Sequence, residues 1–419
     1  MQRFEIMARA MELDSVQPRR SFTNALNRSW RNFAGRWKRW SRWEFWPPYL
    51  FYPPVVVYIA YLGIRFRSWT LFTAANPAIP AGGFVGESKH EILKRLKNAA
   101  PWLPCSTLLA CRVSAQRVAE AEEFMRSHGL QFPVVLKPDA GQRGSGVAIV
   151  RSSQQLCEYL AHACFPVILQ EYLPGEEYGV FYYRYPGSER GRVFSVTEKL
   201  MPILLGDGES TLEELILADD RAVCMSDFYL RNNAERIQEV PAAGERVQLV
   251  EIGTHCRGAI FLEGHDTTTP ALEEVISRIA LTFDGFFFGR FDIRVPSRQD
   301  LMAGRNLKIV ELNGVTSEAT HIYDPKFSLF DAYRVLFQQW RIAFEIGDLN
   351  RARAFAQLLW PTCFMQVVSI TTWHRAIRND PMVRFASRVG QFASFDRGCV
   401  VHFCSSLSSV SVEPCRAGC

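Results

Sequence analysis

A glycine-rich segment behind an apolar run constrains the fold of this 419-residue chain more than any other feature. Phe132–Lys137 predicts a strand that ends on a lysine, and the loop behind it carries glycines, a cation and a hydroxyl: Gly141, Arg143, Gly144, Ser145 and Gly146. Glycines let backbone N–H groups approach phosphate oxygens closely, and a strand lysine can pair with phosphates. The lysine precedes the glycines, so this is not a Walker A loop, and Val147–Val150 returns as a strand. The segment predicts a β-hairpin flap over a nucleotide, with an ordinary glycine-rich hairpin and a surface lysine as the alternative.

A further predicted strand leads into a Pro–Gly turn and a carboxylate within Val167–Glu177. Extended backbone can pair with an adenine edge, and the acid at the end can accept the two ribose hydroxyls. By itself the pattern better fits a turn with exposed acids. Its interpretation as a nucleotide site therefore depends on the flap.

Two alternating segments, 289–295 and 309–314, carry charged side chains among apolar ones. The side chains that share one face of each strand are Arg290, Asp292 and Arg294 on the first, and Glu311 and Asn313 on the second. If the strands are neighbours, three oxygen-bearing side chains and an arginine converge. Such oxygens suit Mg²⁺ shared with substrate phosphates. The alternative is charge on a solvated sheet face.

Taken in this order, the motifs resemble the ATP-grasp superfamily, and within it the carboxylate–amine ligases such as D-alanine–D-alanine ligase. The resemblance covers about residues 131–345, and Leu205–Leu215 resembles a segment of cyanophycin-synthetase-like members. It implies an α/β (α+β) fold in which two α/β subdomains clasp ATP. The N-terminal region departs from the family, whose first domain is a soluble α/β unit.

The resemblance also implies roles for residues. The ATP contacts would be Lys137, Gly141, Arg143, Gly144, Ser145, Gly146, Glu171, Tyr172, Leu173, Glu177 and Lys199. The ligands of Mg²⁺, or of Mn²⁺ in its place, would be Asp292, Glu311 and Asn313. Arg290 would stabilise the tetrahedral intermediate and, with Lys137, is a predicted catalytic residue.

Substrate contacts have no counterpart in the resemblance. The candidates are His255, Arg257, Arg294, Ser317, Ser88 and Lys89. A nucleophilic Cys256 and metal-binding by His255 or His321 are weaker alternatives, since lone residues of these types more often pack or orient substrate.

The implied function is an ATP-dependent carboxylate–amine ligase that forms ADP and an acyl phosphate, and then an amide or peptide bond. One alternative is an ATP-grasp kinase acting on a small-molecule acceptor. Another is an ATP-binding module without turnover. The predicted metal ligands and Arg290 argue against this alternative, because ATP binding alone needs no intermediate-stabilising arginine.

The N-terminal region is basic and aromatic. Residues 21–43 contain no acid, and one helical face carries Leu26, Trp30, Phe33, Trp37 and Trp40. The uncharged run Phe45–Ile64 is interrupted by prolines, and after Pro54 it is too short to cross a bilayer. We expect a helical interfacial anchor on an anionic membrane surface. The alternatives are a segment packed on the body and a membrane span.

The predicted organisation is a disordered tail (1–20), this N-terminal segment (21–75), a linker with a helical region (76–130), the ATP-grasp domain (131–345), a helical region (346–391) and a disordered tail (392–419). Residues 1–43 hold ten Lys or Arg against three Asp or Glu, whereas the whole chain carries only +5. The near-neutral body argues against a nucleic-acid partner. Irregularly spaced cysteines favour a reducing cytoplasm, with the chain peripheral on the inner membrane face.

Overall fold

The computed structural model describes residues 37, 39–84, 88–141, 144–253 and 258–353. The predicted helix face at Leu26, Trp30 and Phe33 therefore lies outside the described residues. So do both predicted tails and the part of the predicted helical region beyond 353.

The described chain alternates short strands and helices. The strands are β1 (Ser106–Leu109), β2 (Val134–Pro138), β3 (Ala148–Val150), β4 (Val167–Glu171), β5 (Glu176–Tyr183), β6 (Arg192–Leu200), β7 (Ile203–Leu205), β8 (Arg246–Gln248), β9 (Ile260–Glu263), β10 (Phe288–Val295) and β11 (Lys308–Asn313). The α-helices are α1 (Pro48–Phe51), α2 (Pro53–Arg65), α3 (Lys89–Arg95), α4 (Ser114–Ser127), α5 (Ser153–His162), α6 (Leu212–Ala218), α7 (Ser226–Asn232), α8 (Pro270–Leu281), α9 (Arg298–Met302) and α10 (Leu329–Ala352). Short 3₁₀ turns connect them, among them Leu71–Ala75 and Thr320–Tyr323.

The first sheet has the strand order β1-β4-β2-β3, and every neighbouring pair is antiparallel. Helices α4 and α5 cover one face of it, and their apolar sides share one core with the strands. Helix α5 begins where the sequence predicts, because the hydroxyl of Ser152 accepts the N–H of Gln155 and caps the helix. The predicted hairpin is present, since β2 pairs with β3 on either side of the glycine loop.

The second sheet has the order β11-β10-β5-β6-β9 and is antiparallel throughout. Alternate residues of β5, including Tyr178, Val180 and Tyr182, pack against α8 in the largest apolar core. The opposite face meets α10 and the segment around Leu71. The two sheets with their helices form the expected mixed α/β architecture.

A small third unit is built from the β7–β8 pair with α6 and α7. Thr211 caps α6 in a box with Glu214. Strand β8 ends at Gln248, where its pairing with β7 ends.

The N-terminal segment packs on the body in its described part. The prolines of Phe45–Ile64 do not break a helix but begin two of them, because the missing N–H costs nothing in the first turn. Leu62 of α2 and Phe72 are buried against α10. No helix of the described ranges has the length and apolar character needed to cross a membrane.

Candidate active site

One face of the second sheet is apolar at one end and charged at the other. Register pairs place Phe288 opposite Tyr183, and Arg290 opposite Phe181, at the end that packs on α10. Two and four residues further along β10, Asp292 lies opposite Gly179 and Arg294 opposite Glu177. The alternation of the strands therefore assembles the predicted charged residues on one surface.

Gly179 gives these side chains room. A Cβ at this position would lie 3.1 Å from Cδ of Arg290 and 3.4 Å from Oδ1 of Asp292. Lys199 approaches from β6, where Thr197 is the register partner of Gly179. A larger residue on this central strand would crowd the arginine against the carboxylate.

Arg290 holds two groups at once. Its Nε donates to Oδ1 of Asp292 at 2.8 Å, and its Nη1 donates to the carbonyl of Glu318 at 2.9 Å. Lys199 Nζ lies 3.1 Å from the same Oδ1 and donates to Oε1 of Glu177 at 3.0 Å. All of these side chains are at most 15% exposed, so the charges interact with little screening.

The electrostatics follow from these contacts. Burial alone would raise the pKa of Asp292, but Arg290 and Lys199 outweigh it and hold that pKa well below its usual range. Burial also opposes the charge of Lys199, yet Asp292 and Glu177 raise its pKa. Asp292, Lys199 and Arg290, whose pKa burial lowers but Asp292 raises overall, therefore stay ionised at neutral pH.

A second cluster joins the flap strand to the edge of this sheet. Lys137 is buried and donates to the carbonyl of Val310 at 3.0 Å, and burial lowers its pKa to about 8. Lys89 forms an ion pair with Glu311. Asp139, two residues after Lys137, accepts the backbone N–H of His90 and so fixes the start of α3 beside the site.

The predicted metal ligands meet at the β10–β11 pair. Asp292 lies opposite Glu311 in the register, and Asn313 lies opposite Arg290, with its Nδ2 3.5 Å from Oδ2 of Asp292. In the described ranges no three His, Cys, Asp or Glu side chains form a metal-binding group, since the third predicted ligand is an amide. Two carboxylates and an amide oxygen are chemically suited to Mg²⁺ and also to Mn²⁺, so these residues fit the ion.

The glycine loop between β2 and β3 needs glycine at two positions. Gly144 and Gly146 adopt φ values of 72° and 74°, in the left-handed region. The carbonyl of Gly146 accepts the hydroxyl of Tyr159 at 2.7 Å, which ties the loop to α5. Ser145 lies between the two glycines and Gly141 precedes the loop, whereas Arg143 lies outside the described residues.

The predicted adenine and ribose contacts lie at the end of β4 and the start of β5. The N–H of Glu171 donates to the carbonyl of Cys105 at 2.8 Å, and Tyr172 and Leu173 follow in the connecting turn. Arg294 bridges this turn, donating to the carbonyl of Gly175 at 3.2 Å and to Oε2 of Glu177 at 2.8 Å. In this structure Arg294 thus holds the turn between the two strands.

The substrate candidates are only partly brought together. Lys89 enters the charged cluster, but the hydroxyl of Ser88 caps α3 and donates to Asp139, and the Ser317 hydroxyl donates to the carbonyl of Gly314. Ser317 is buried, and its carbonyl accepts the amide of Gln339 at 2.7 Å. His255 and Arg257, like Cys256, lie outside the described residues.

Glu318, which the sequence does not indicate as a site residue, supports Arg290 through hydrogen bonds. The carboxylate of Glu318 accepts the hydroxyls of Tyr52 at 2.9 Å and Tyr323 at 2.7 Å, while its carbonyl accepts Arg290. Tyr52 lies between α1 and α2, so the N-terminal segment contacts the active-site loop. No signal in the Glu-Ala-Thr-His run that begins at Glu318 points to a partner 266 positions away.

Comparisons with known proteins agree with this architecture. No protein-family model matches the chain. A cyanophycin synthetase from Geminocystis herdmanii (strain PCC 6308) is 35% identical over 213 residues, which cover 46% of this chain and 24% of that protein. The chain thus corresponds to less than a quarter of the length of this relative.

Two solved structures illustrate the structural likeness. A bifunctional glutathione synthetase from Pasteurella multocida has a TM-score of 0.34 and 18% identity, over 60% of this chain and 36% of its own. A D-alanine–D-alanine ligase from Bacillus anthracis has a TM-score of 0.36 and 13% identity, over 64% of this chain and 69% of its own.

The sequence match confirms that the chain resembles the ATP-grasp carboxylate–amine ligases. The described residues form a mixed α/β architecture with antiparallel sheets, as the sequence predicts.

Proposed function

We propose that this protein is an ATP-dependent carboxylate–amine ligase of the ATP-grasp type, forming a carbon–nitrogen bond and ADP. The observation that carries the proposal is the register of four neighbouring strands, β11, β10, β5 and β6. It brings Arg290, Asp292, Glu311 and Lys199 onto one sheet face, and Lys137 of the glycine hairpin contacts the backbone of β11.

Each group has a role in that chemistry. Lys137 and Lys199 neutralise ATP phosphates, and the glycine hairpin covers them and excludes water that would hydrolyse an intermediate. Glu177 accepts the ribose hydroxyls, and the backbone at Glu171 and Leu173 contacts adenine. Mg²⁺, held by Asp292, Glu311 and Asn313, would lower the charge that repels an incoming carboxylate.

The reaction has two steps. A carboxylate oxygen of the substrate attacks the γ-phosphorus of ATP and releases ADP, which leaves an acyl phosphate. An amine then attacks the acyl carbon and expels phosphate. In this second step the guanidinium of Arg290 would stabilise the developing oxyanion, and Lys89, which pairs with Glu311 here, would contact an anionic substrate group.

The test is ADP release by the purified full chain with ATP, Mg²⁺ and separate pools of amino acids, dipeptides and small carboxylic acids. We expect release that requires at least one of these pools, with an amine present for turnover, and none with Asp292→Asn. Asp300→Asn is the matched control, because that carboxylate lies in α9 and accepts Ser297 and Arg305 rather than a residue of the site. A stable phosphorylated product formed without amine would instead show a kinase.

The cytoplasmic location and the peripheral association with an anionic membrane remain predictions from the sequence. Most of the basic helix on which they rest, Ser21–Arg36, lies outside the described residues.

A further inference from the structure

The outward side of α1 and α2 is apolar and exposed. We call this surface the outer face and define it by its residues, which are Tyr49, Leu50, Val56, Val57, Tyr61 and Ile64. Val57 is 69% exposed and Ile64 68%, while Val55 and Leu62 on the opposite side of the same helix are buried. The spacing of Val57, Tyr61 and Ile64 is that of one helical stripe. Helix α2 is thus apolar on both sides, and only its inner side packs on the protein.

Two exposed aromatic residues extend this surface. Trp69, 54% exposed, follows α2 and contacts its Gly63. Phe330, 82% exposed, begins the stripe of α10 whose later members Tyr333 and Phe337 stack on α1 and α2. Apolar residues exposed singly are ordinary, but a continuous stripe with large aromatic neighbours indicates an interaction surface.

The charges that flank the outer face along the chain have one sign. Between Glu44 and Glu87 the sequence contains no acid, and its only charged residues are Arg65 and Arg67, both exposed at the end of α2. Ahead of Glu44, residues 21–43 are also free of acids and hold six Lys or Arg. The surface therefore complements a partner that is apolar inside and anionic at its edge.

We propose that the outer face docks this protein onto an anionic lipid bilayer. Helix α2 has 13 residues, too few to cross a membrane, and its inner side is held by α10, so it can only lie flat at the interface. Tyr61 and Trp69 suit the headgroup region, because their rings are apolar and their polar atoms reach water. A second copy is a poorer occupant, since the segment between Glu44 and Glu87 offers no acid that could pair with Arg65 and Arg67 of the other copy.

Docking would place the active site beside the lipid surface. Tyr52, between the two helices, donates to the carboxylate of Glu318, whose carbonyl accepts Arg290. Two residues, Tyr52 and Glu318, therefore connect the helices of the outer face to the proposed catalytic arginine through hydrogen bonds. Lipid docking is a property separate from ligase activity, and vesicle binding is measured without ligase substrates.

The experiment is co-sedimentation of the full chain with phosphatidylcholine vesicles, with or without phosphatidylglycerol. The test variant replaces Val57, Tyr61 and Ile64 together by serine, and Ile64→Ser alone serves if the triple variant does not fold. Val240→Ser, at a half-exposed apolar residue of the third unit, is the matched control. A further variant, Arg28→Gln with Arg31→Gln, separates the contribution of the basic segment.

We expect the wild type and Val240→Ser to sediment with anionic vesicles, and more weakly as salt rises. The triple variant should lose at least about ten-fold in the bound-to-free ratio, because it removes apolar contacts with the acyl boundary. Its melting temperature and vesicle-free ADP release should match the wild type. Wild-type sedimentation of the triple variant, or absence of vesicle binding by the wild type, would overturn the proposal. The proposal would also be overturned if the wild type formed a dimer without vesicles and only the triple variant were a monomer.

Discussion

The contacts of Arg290 explain most directly why its side chain suits the proposed chemistry. Its planar guanidinium contacts a carboxylate through Nε and a backbone carbonyl through Nη1. A lysine has one compact ammonium group, which cannot donate to the carboxylate and to the carbonyl in the directions that the guanidinium reaches.

Arg290→Lys should therefore reduce kcat by about a hundred-fold or more while ATP still binds, because loss of an oxyanion-stabilising group mainly affects the transition state. Steady-state kinetics and calorimetric ATP binding measure the two effects separately. Arg278→Lys, in an exposed pair with Glu274 on α8, is the control. Unchanged kcat in Arg290→Lys would remove this arginine from the mechanism.

His321 predicts a pH dependence of stability. It is buried, its Nδ1 has no hydrogen-bond partner in the described ranges, and burial lowers its pKa from 6.5 to about 4. Because the folded protein favours the neutral ring, stability is fully present above pH 6.5 and is lost as the pH falls toward 4. The loss should reach about 3 kcal/mol.

Chemical unfolding at a series of pH values between 7 and 4 checks this prediction. His321→Gln cannot take up the proton and should show a shallower fall in the free energy of unfolding than the wild type. Parallel pH profiles for the two proteins would contradict a buried neutral histidine.

At the scale of elements, the flap depends on the backbone of the β2–β3 loop. Gly146 has φ of 74°, and a Cβ there would lie 2.6 Å from Cγ of Pro138. Gly146→Ala should displace the loop and raise the KM for ATP by about ten-fold or more, since strain of about 1–2 kcal/mol adds to the clash. Gly129→Ala is the control, because it has φ of 64° with no atom nearby. Equal KM values in both variants would contradict the role of the flap.

Most of the strands that bear the site were predictable, because apolar runs mark β2 and β4 and alternation marks β10 and β11 in the sequence. β2, β4, β10 and β11 lie within two residues of their predicted bounds. β6 was missed, since Ser195, Thr197 and Lys199 interrupt its apolar side. α2 was missed because its prolines were interpreted as breaks, although they are favourable in a first turn.

The pairing within the site could not be predicted in the same way. The Lys89–Glu311 ion pair joins residues 222 positions apart, and the contacts of Lys199 depend on the register between β5 and β6. Register across a sheet follows from the packing of both faces, which a single sequence does not display.

At the scale of the whole molecule, the N-terminal segment joins separate units. Glu44 accepts Nη1 and Nη2 of Arg221 at 2.8 and 3.0 Å, and this guanidinium lies over the ring of Phe45. Phe45 packs against Val223 and Cys224 of the third unit. One segment thus contacts the third unit, α10 and the active-site loop.

Glu44→Gln should weaken this contact by about 1–3 kcal/mol, because it leaves a mostly buried guanidinium with a poorer partner. The thiol of Cys224, buried here, should then react with a maleimide faster, which peptide mass spectrometry can map to that residue. Glu251→Gln, which breaks the exposed pair with Arg151, should leave the rate unchanged. Equal labelling in all three proteins would show that Glu44 does not hold this contact.

The central claim, that a carboxylate is activated as an acyl phosphate, is tested most directly by isotope transfer. The protein is supplied with ATP, Mg²⁺, amine and a carboxylate pool labelled with ¹⁸O, and the released phosphate is analysed by mass spectrometry. The account predicts one ¹⁸O in each phosphate released, since the carboxylate oxygen that attacks the γ-phosphorus leaves with it. ADP formation with unlabelled phosphate would contradict it.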